Sequence, residues 1–171
     1  PQIDNRGAII AANDSDILRF NRDTYSYLWP RDGALVAAAM DLAGYIEVPR
    51  RFLALCGELI SREGYLLHKY NPDGSIGSSW HGWSTPDGRL EYPIQEDETG
   101  LPLWALWQHY DRHRDLEFVR PLYRKLVRTA ADFMVSFREP KTKLPAPSFD
   151  RPMVFDPRPA GHRETRGRAC K

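Results

Sequence analysis

The chain has 171 residues, of which 42% are hydrophobic and 27% charged, and a formal net charge of +1. That length and apolar share exclude a disordered chain and suit one domain with a real core. No apolar run reaches the roughly 18 residues of a membrane-spanning helix, and Cys56 and Cys170, in unlike contexts, argue against a disulfide framework or a paired-cysteine zinc site.

The charge is unevenly placed. Residues 151–171 carry six basic and two acidic residues, net +4, while the other 150 carry 18 basic and 21 acidic, net −3. An acidic body argues against nucleic-acid binding, which needs basic residues on the folded face itself. No secretory signal is visible and the cytoplasm is the expected location, although the chain opens at Pro1 without a methionine, so the missing signal says little about localisation.

Residues 1–24 alternate a short apolar run, Ala8 to Ala12, with Asn, Asp and Ser turn residues, and read as an extended entry segment. Next comes Tyr25-Ser-Tyr-Leu-Trp-Pro-Arg-Asp-Gly-Ala. Three rings at alternate positions, Tyr25, Tyr27 and Trp29, lead into Pro30 and an adjacent Arg31–Asp32 pair. A pyranose needs this chemistry: flat apolar surfaces for its C–H face, and a guanidinium and a carboxylate that take neighbouring hydroxyls in charge-assisted bonds. The plainer reading of Arg31–Asp32 is a helix N-terminus, with Asp32 capping the first turn and Arg31 in a surface pair. Both hold if the capping carboxylate also faces a ligand.

A helix is predicted over 32–43, stopped by Gly44, with a small face of Ala34, Ala37, Ala38 and Ala39 that lets a neighbour approach closely. A second fits 49–62, where Phe52, Leu55, Cys56, Leu59 and Ile60 give the spacing of one buried face and Pro49 suits the first turn. Cys56 reads as a buried small residue. Residues 64–95 form a long loop, and loops of that length inside a domain are usually functional. Its Trp80 and Trp83 suit stacking on a sugar, while His68 and His81 lack the further ligands a metal requires. A third helix is predicted over 99–110, with Trp104 and Trp107 at core spacing, and Glu96-Asp97-Glu98 just before it favour its dipole, Asp97 contributing to a pocket floor. A fourth is predicted over 121–137, after which the chain becomes Pro- and Arg-rich and loses periodicity. Two helical hairpins in series, with no strands between, are the unit of an α-solenoid or α/α toroid.

Five motifs in order carry a more specific resemblance. They are residues 25–34, Lys69-Tyr-Asn-Pro-Asp-Gly, Ser79-Trp80, Gln95-Glu-Asp-Glu-Thr-Gly and Leu144-Pro-Ala-Pro-Ser-Phe-Asp. Over roughly residues 2–150 the chain resembles family fifteen glycoside hydrolases: glucoamylases, glucodextranases and some bacterial trehalases. The resemblance implies the first two hairpins of a six-hairpin (α/α)6 toroid, and exo-acting release of glucose with inversion from an oligosaccharide or α-glucan. It assigns Arg31 and Asp32 to the hydroxyls of the terminal sugar, Tyr25 to the reacting ring with Tyr27 beside it, and Trp29 to the pocket wall. Trp80 resembles the tryptophan stacked near the leaving sugar, and Lys69, Gln95 and Asp97 resemble pocket-lining or supporting residues. Two-carboxylate chemistry needs no metal or organic cofactor.

The chain departs from the family where the chemistry should be. Inverting hydrolysis requires an acid and a base about 6.5–9.5 Å apart. The resemblance places the acid in a Leu-Trp-Glu-Glu stretch just after Pro147-Ser148-Phe149-Asp150, where this chain continues Arg151-Pro152-Met153-Val154. Met153 stands in the acid's place, and a thioether donates no proton; the base comes from a later helix in the family. The expectation is a catalytically impaired piece, with 1–150 a partial barrel and 151–171 a disordered or frame-shifted tail. Trehalose hydrolysis, a non-catalytic carbohydrate-binding remnant and a helical interaction module are the alternatives.

Overall fold

The computed structural model describes residues 2–14, 24–77, 88 and 93–146, so that Trp80, His81, Trp83, Met153 and the whole of 147–171 lie outside the described residues. Within them the chain is all-α. Helix α1 (Pro30–Leu42) is followed by α2 (Glu47–Leu59) and α3 (Glu96–His113). A last helical rod comprises α4 (Leu116–Leu122), a π-helical stretch (Tyr123–Arg128) and α5 (Thr129–Ser136). Extended pairing among the described residues is limited to isolated bridges, Ile3–Ile9, Leu28–Tyr70, Tyr70–Ile76 and Arg138–Pro145.

Helices α1 and α3 form the most extensive helix–helix contact. At one end the first turn of α1 meets the first turn of α3, through Arg31 and Glu98; at the other, Asp41 meets His109 and His113. The two helices are therefore parallel, and α2 and the last rod return the chain behind them. That is the arrangement of two consecutive hairpins of an α/α toroid. Buried Ala34 and Ala37 allow the close contact, whereas Ala39, expected on the same small face, is exposed. Phe52, Leu53, Leu66, Leu106 and Leu126 fill the core between the layers.

Local chemistry accounts for most helix ends. Pro30 occupies the first turn of α1, where its missing N–H costs nothing. Gly44 ends it at φ +90°: its N–H bonds the Asp41 carbonyl and the Tyr45 N–H the Met40 carbonyl, a Schellman cap. Helix α2 begins two residues before Pro49 and ends at Leu59 rather than 62, because Ile60 turns extended and the Ser61 hydroxyl accepts the Gly64 and Tyr65 N–H groups. Helix α3 starts three residues earlier than predicted, since Glu98 anchors its first turn. Pro102 lies within it.

The largest boundary error falls on the last rod. It starts at Leu116, where Asp115 accepts the Phe118 N–H, and Pro121 lies inside it. Proline removes one rung and crowds the carbonyl four residues back, and the π-helical stretch directly after it absorbs the misfit. Asp115 also binds Arg50 of α2 at 2.6 Å. Asp115→Ala thus removes a cap and an inter-helix tie, and should lower the thermal midpoint by roughly 3 °C; calorimetry of the variant checks this.

Trp104 and Trp107 correct a second expectation. They are 41% and 56% exposed, not core. The buried stripe of α3 runs through Glu98, Pro102, Ala105, Leu106 and His109, and no described element covers the face carrying the two indoles. No helix among the described residues is long and apolar enough to cross a membrane.

Candidate functional site

The site is built where three segments are tied together by backbone. Leu28 and Tyr70 exchange N–H···O bonds of 2.9 and 2.8 Å, which sets Lys69 beside the aromatic run. His68 N–H donates to the Pro93 carbonyl at 2.8 Å, and Leu66 N–H to the Thr99 hydroxyl at 2.9 Å, which fixes Gln95 and the start of α3 against the same strip. From the other side, Asp14 accepts the Ser26 and Thr24 hydroxyls and the Tyr25 N–H, and these donors hold its carboxyl down at about 2.

On this frame the rings cluster. Tyr25 lies 5.8 Å from Trp29, centroid to centroid, and Tyr27 meets Trp29 edge-on at 5.7 Å. The Lys69 ammonium, itself buried, lies 4.4 Å from the Tyr27 ring centroid and 5.5 Å from that of Trp29. Such cation–π contact favours keeping the charge there. Tyr25 is 58% exposed and Trp29 only 3%. Tyr25 therefore offers the open ring, and Trp29 backs the wall instead of lining it.

Arg31 is the centre of the polar part. Its Nη1 donates to Gln95 Oε1 at 2.8 Å and to both oxygens of Asp97 at 3.0 and 2.9 Å. Its backbone N–H donates to Glu98 Oε2 at 2.6 Å, and Nη2 lies 3.3 Å from Glu98 Oε1. Burial works against the guanidinium charge, but Glu98, Asp97 and Asp32 outweigh it and hold Arg31 firmly cationic. Burial likewise pushes the Glu98 carboxyl well above the ordinary range, against the pull of the Arg31 N–H and guanidinium. Asp32, in the first turn of α1, caps nothing: the cap position is Trp29, without a side-chain bond.

The structure thus brings Arg31, Gln95, Asp97, Lys69, Tyr25, Tyr27 and Trp29 into one neighbourhood, and Asp32 borders it. Glu98 was legible only as part of an acidic triplet. Its place on the buried stripe of α3 was the available signal, because a carboxyl on an apolar face demands a partner. Beside Asp97 opens a cavity of about 470 Å³, lined by Phe133, Met134, Phe137 and Arg138 among others, where the two phenyl rings stack at 4.9 Å.

A second cluster was not foreseen. His109 Nδ1 and His113 Nε2 lie 3.1 and 2.9 Å from the same oxygen of buried Asp41. All three ligand atoms fall within 4.8 Å of one another, the composition of a metal site. Arg50 argues against that reading. Its Nε–H donates to His109 Nε2 at 3.3 Å, so the ring proton sits on Nδ1 facing Asp41. A metal on Nδ1 would set an N–H at Nε2 against the Arg50 donor. The cluster is a hydrogen-bonded strut between the C-terminal ends of α1 and α3. Burial pushes His109 below its ordinary 6.5, against the pull of Asp41. A histidine depressed in the folded state contributes stability above its unfolded value and loses it as pH falls. The thermal midpoint should therefore drop below pH 6.5 and drop less steeply in His109→Gln, a comparison that calorimetry across pH makes directly.

Fold and sequence together relate the chain to glycosidases. It is 30% identical over 131 residues, 77% of its length, to the uncharacterized glycosyl hydrolase MJ1610 of Methanocaldococcus jannaschii. It also superposes on the solved structure of a glycosidase, with a TM-score of 0.56 and 25% identity over 80% of the chain. The chain spans 18% of the first protein and 37% of the second. No protein-family model matches it.

Proposed function

We propose that the described residues form the sugar-gripping part of an inverting, exo-acting α-glucosidase of the glucoamylase type. In this reading Arg31 and Asp32 bind hydroxyls of the terminal glucose, Tyr25 covers its apolar face, and Gln95, Asp97 and Lys69 hold these groups in place. One observation carries it above the others: the Arg31 guanidinium is clamped through Nη1 by Gln95 and Asp97, while Nε makes no hydrogen bond to any described residue. A preorganised donor at the rim of an aromatic cluster is what a hydroxyl requires. The adjoining cavity of about 470 Å³, with its stacked Phe133 and Phe137, gives room for a second unit.

Residues 1–150 are then part of a toroid, and the sequence directly after Asp150 does not supply the acid. With Met153 in the acid's place, the chain binds sugar and does not turn it over. Calorimetric titration with glucose, maltose, trehalose and acarbose tests this. Binding of glucose or maltose without hydrolysis supports the reading, and preference for trehalose moves it to the trehalose-cleaving relatives. Absence of binding to every sugar overturns it in favour of an interaction module using the exposed Trp104 and Trp107. Sequencing the encoding DNA around codon 150 tests the frame shift: an alternative frame without Trp-Glu-Glu refutes it.

A further inference from the structure

We infer that Asp97 and Glu98 set the charge preference of the Arg31 site, making it a receptor for uncharged sugar hydroxyls and barring uronates and sugar phosphates. The inference rests on the sugar-binding reading above and goes further, since it assigns selectivity to two named side chains. An unpaired arginine in a half-buried pocket is an anion receptor, because its planar fork matches carboxylate and phosphate oxygens. Arg31 is not unpaired. Asp97 takes Nη1 with both oxygens, at 3.0 and 2.9 Å, and Glu98 lies 3.3 Å from Nη2 with its side chain wholly buried. Asp32, next in sequence, adds a third carboxyl close enough to raise the affinity of Arg31 for its proton.

Arg31 and the buried Lys69 give +2 against the carboxylates of Asp97 and Asp32, so the local sum is 0 with the Glu98 proton retained and −1 with it lost. In neither state is there surplus positive charge to hold a carboxylate or phosphate, and an anion approaching the guanidinium meets the Asp97 oxygens already seated on Nη1, a like-charge contact that disfavours the wrong ligand. A neutral hydroxyl loses nothing. It accepts from the remaining guanidinium N–H and donates to a carboxylate oxygen. The arrangement also orients Arg31: Glu98 holds both the backbone N–H and the head group of the same residue, so removing its charge changes the fork's field more than its position.

The test compares glucose with glucuronate by calorimetric titration of the 171-residue chain and three variants. The unaltered chain should bind glucose at least about tenfold more tightly than glucuronate. Asp97→Asn, at a half-exposed position, should narrow that ratio by about threefold, and Glu98→Gln by no more than that, because burial already favours the neutral form of its carboxyl. Asp111→Asn makes the same change in net charge near the opposite end of α3, where Asp111 pairs with Arg114, and should leave the ratio unaltered. If Glu98→Gln does not fold, Asp97→Asn decides alone. An unchanged ratio in the variants that fold, or equal binding of both sugars by the unaltered chain, overturns the inference. Failure of the unaltered chain to bind either sugar would sink the sugar-binding reading instead.

Discussion

Arg31→Ala should lower the stability of the chain by about 3 kcal/mol and abolish sugar binding together. The expectation follows from what the substitution leaves behind. Glu98 has no exposed side-chain surface, and Arg31 supplies both its N–H donor and its counter-charge. Removing one partner of a buried pair typically costs about 3–5 kcal/mol, because the survivor is neither hydrated nor paired. The lower end applies, since the Arg31 side chain keeps 29% exposure and its backbone N–H survives the substitution. Urea unfolding of Arg31→Ala, Glu98→Leu and the double variant separates the contributions. The double variant should recover most of the loss, as an apolar residue of similar volume does not need the missing cation. A loss below about 1 kcal/mol in Arg31→Ala would mean that the pair behaves like an exposed ion pair.

Gly64→Ala should be comparably damaging, for a different reason. Gly64 sits at φ +98°, and a Cβ there would lie 2.1 Å from the Thr129 carbonyl oxygen, where the turn after α2 meets the start of α5. The left-handed backbone alone costs an L-residue about 1–2 kcal/mol, and a displaced backbone carbonyl brings the total to about 3 kcal/mol or more. Gly44 provides the control, since it has φ +90° with nothing within 4 Å of the corresponding position. Gly44→Ala should cost only the conformational part, about 1 kcal/mol. The difference between the two variants in urea unfolding measures how tightly the second hairpin seats on the first. Equal losses would show that the contact yields.

The contrast between these glycines also marks how far the residues alone could be read. Gly44 ends α1 by a rule acting within one turn, and its role as a stop is visible in the sequence. Gly64 looks the same there, yet most of its importance comes from a carbonyl 65 positions later. The start of the last rod failed for a related reason. Pro121 resembles a helix beginning, but Asp115 had already capped an earlier one, and a wide π turn accommodated the proline.

The amino-acid order by itself determined the helices, the cap at Gly44, and the run of rings leading into Arg31–Asp32, because spacing and capping act over a few residues. It also singled out Lys69, Gln95 and Asp97, which lie around the rings and Arg31. Only the tertiary structure decided who partners whom. Arg31 and Glu98 are 67 positions apart, and Asp41 and His109 are 68 apart, too far for periodicity to register. It also decided which apolar faces are covered: Trp104 and Trp107 obey the spacing of a core yet stand exposed, since burial depends on a neighbour being present and not on the pattern of the helix itself.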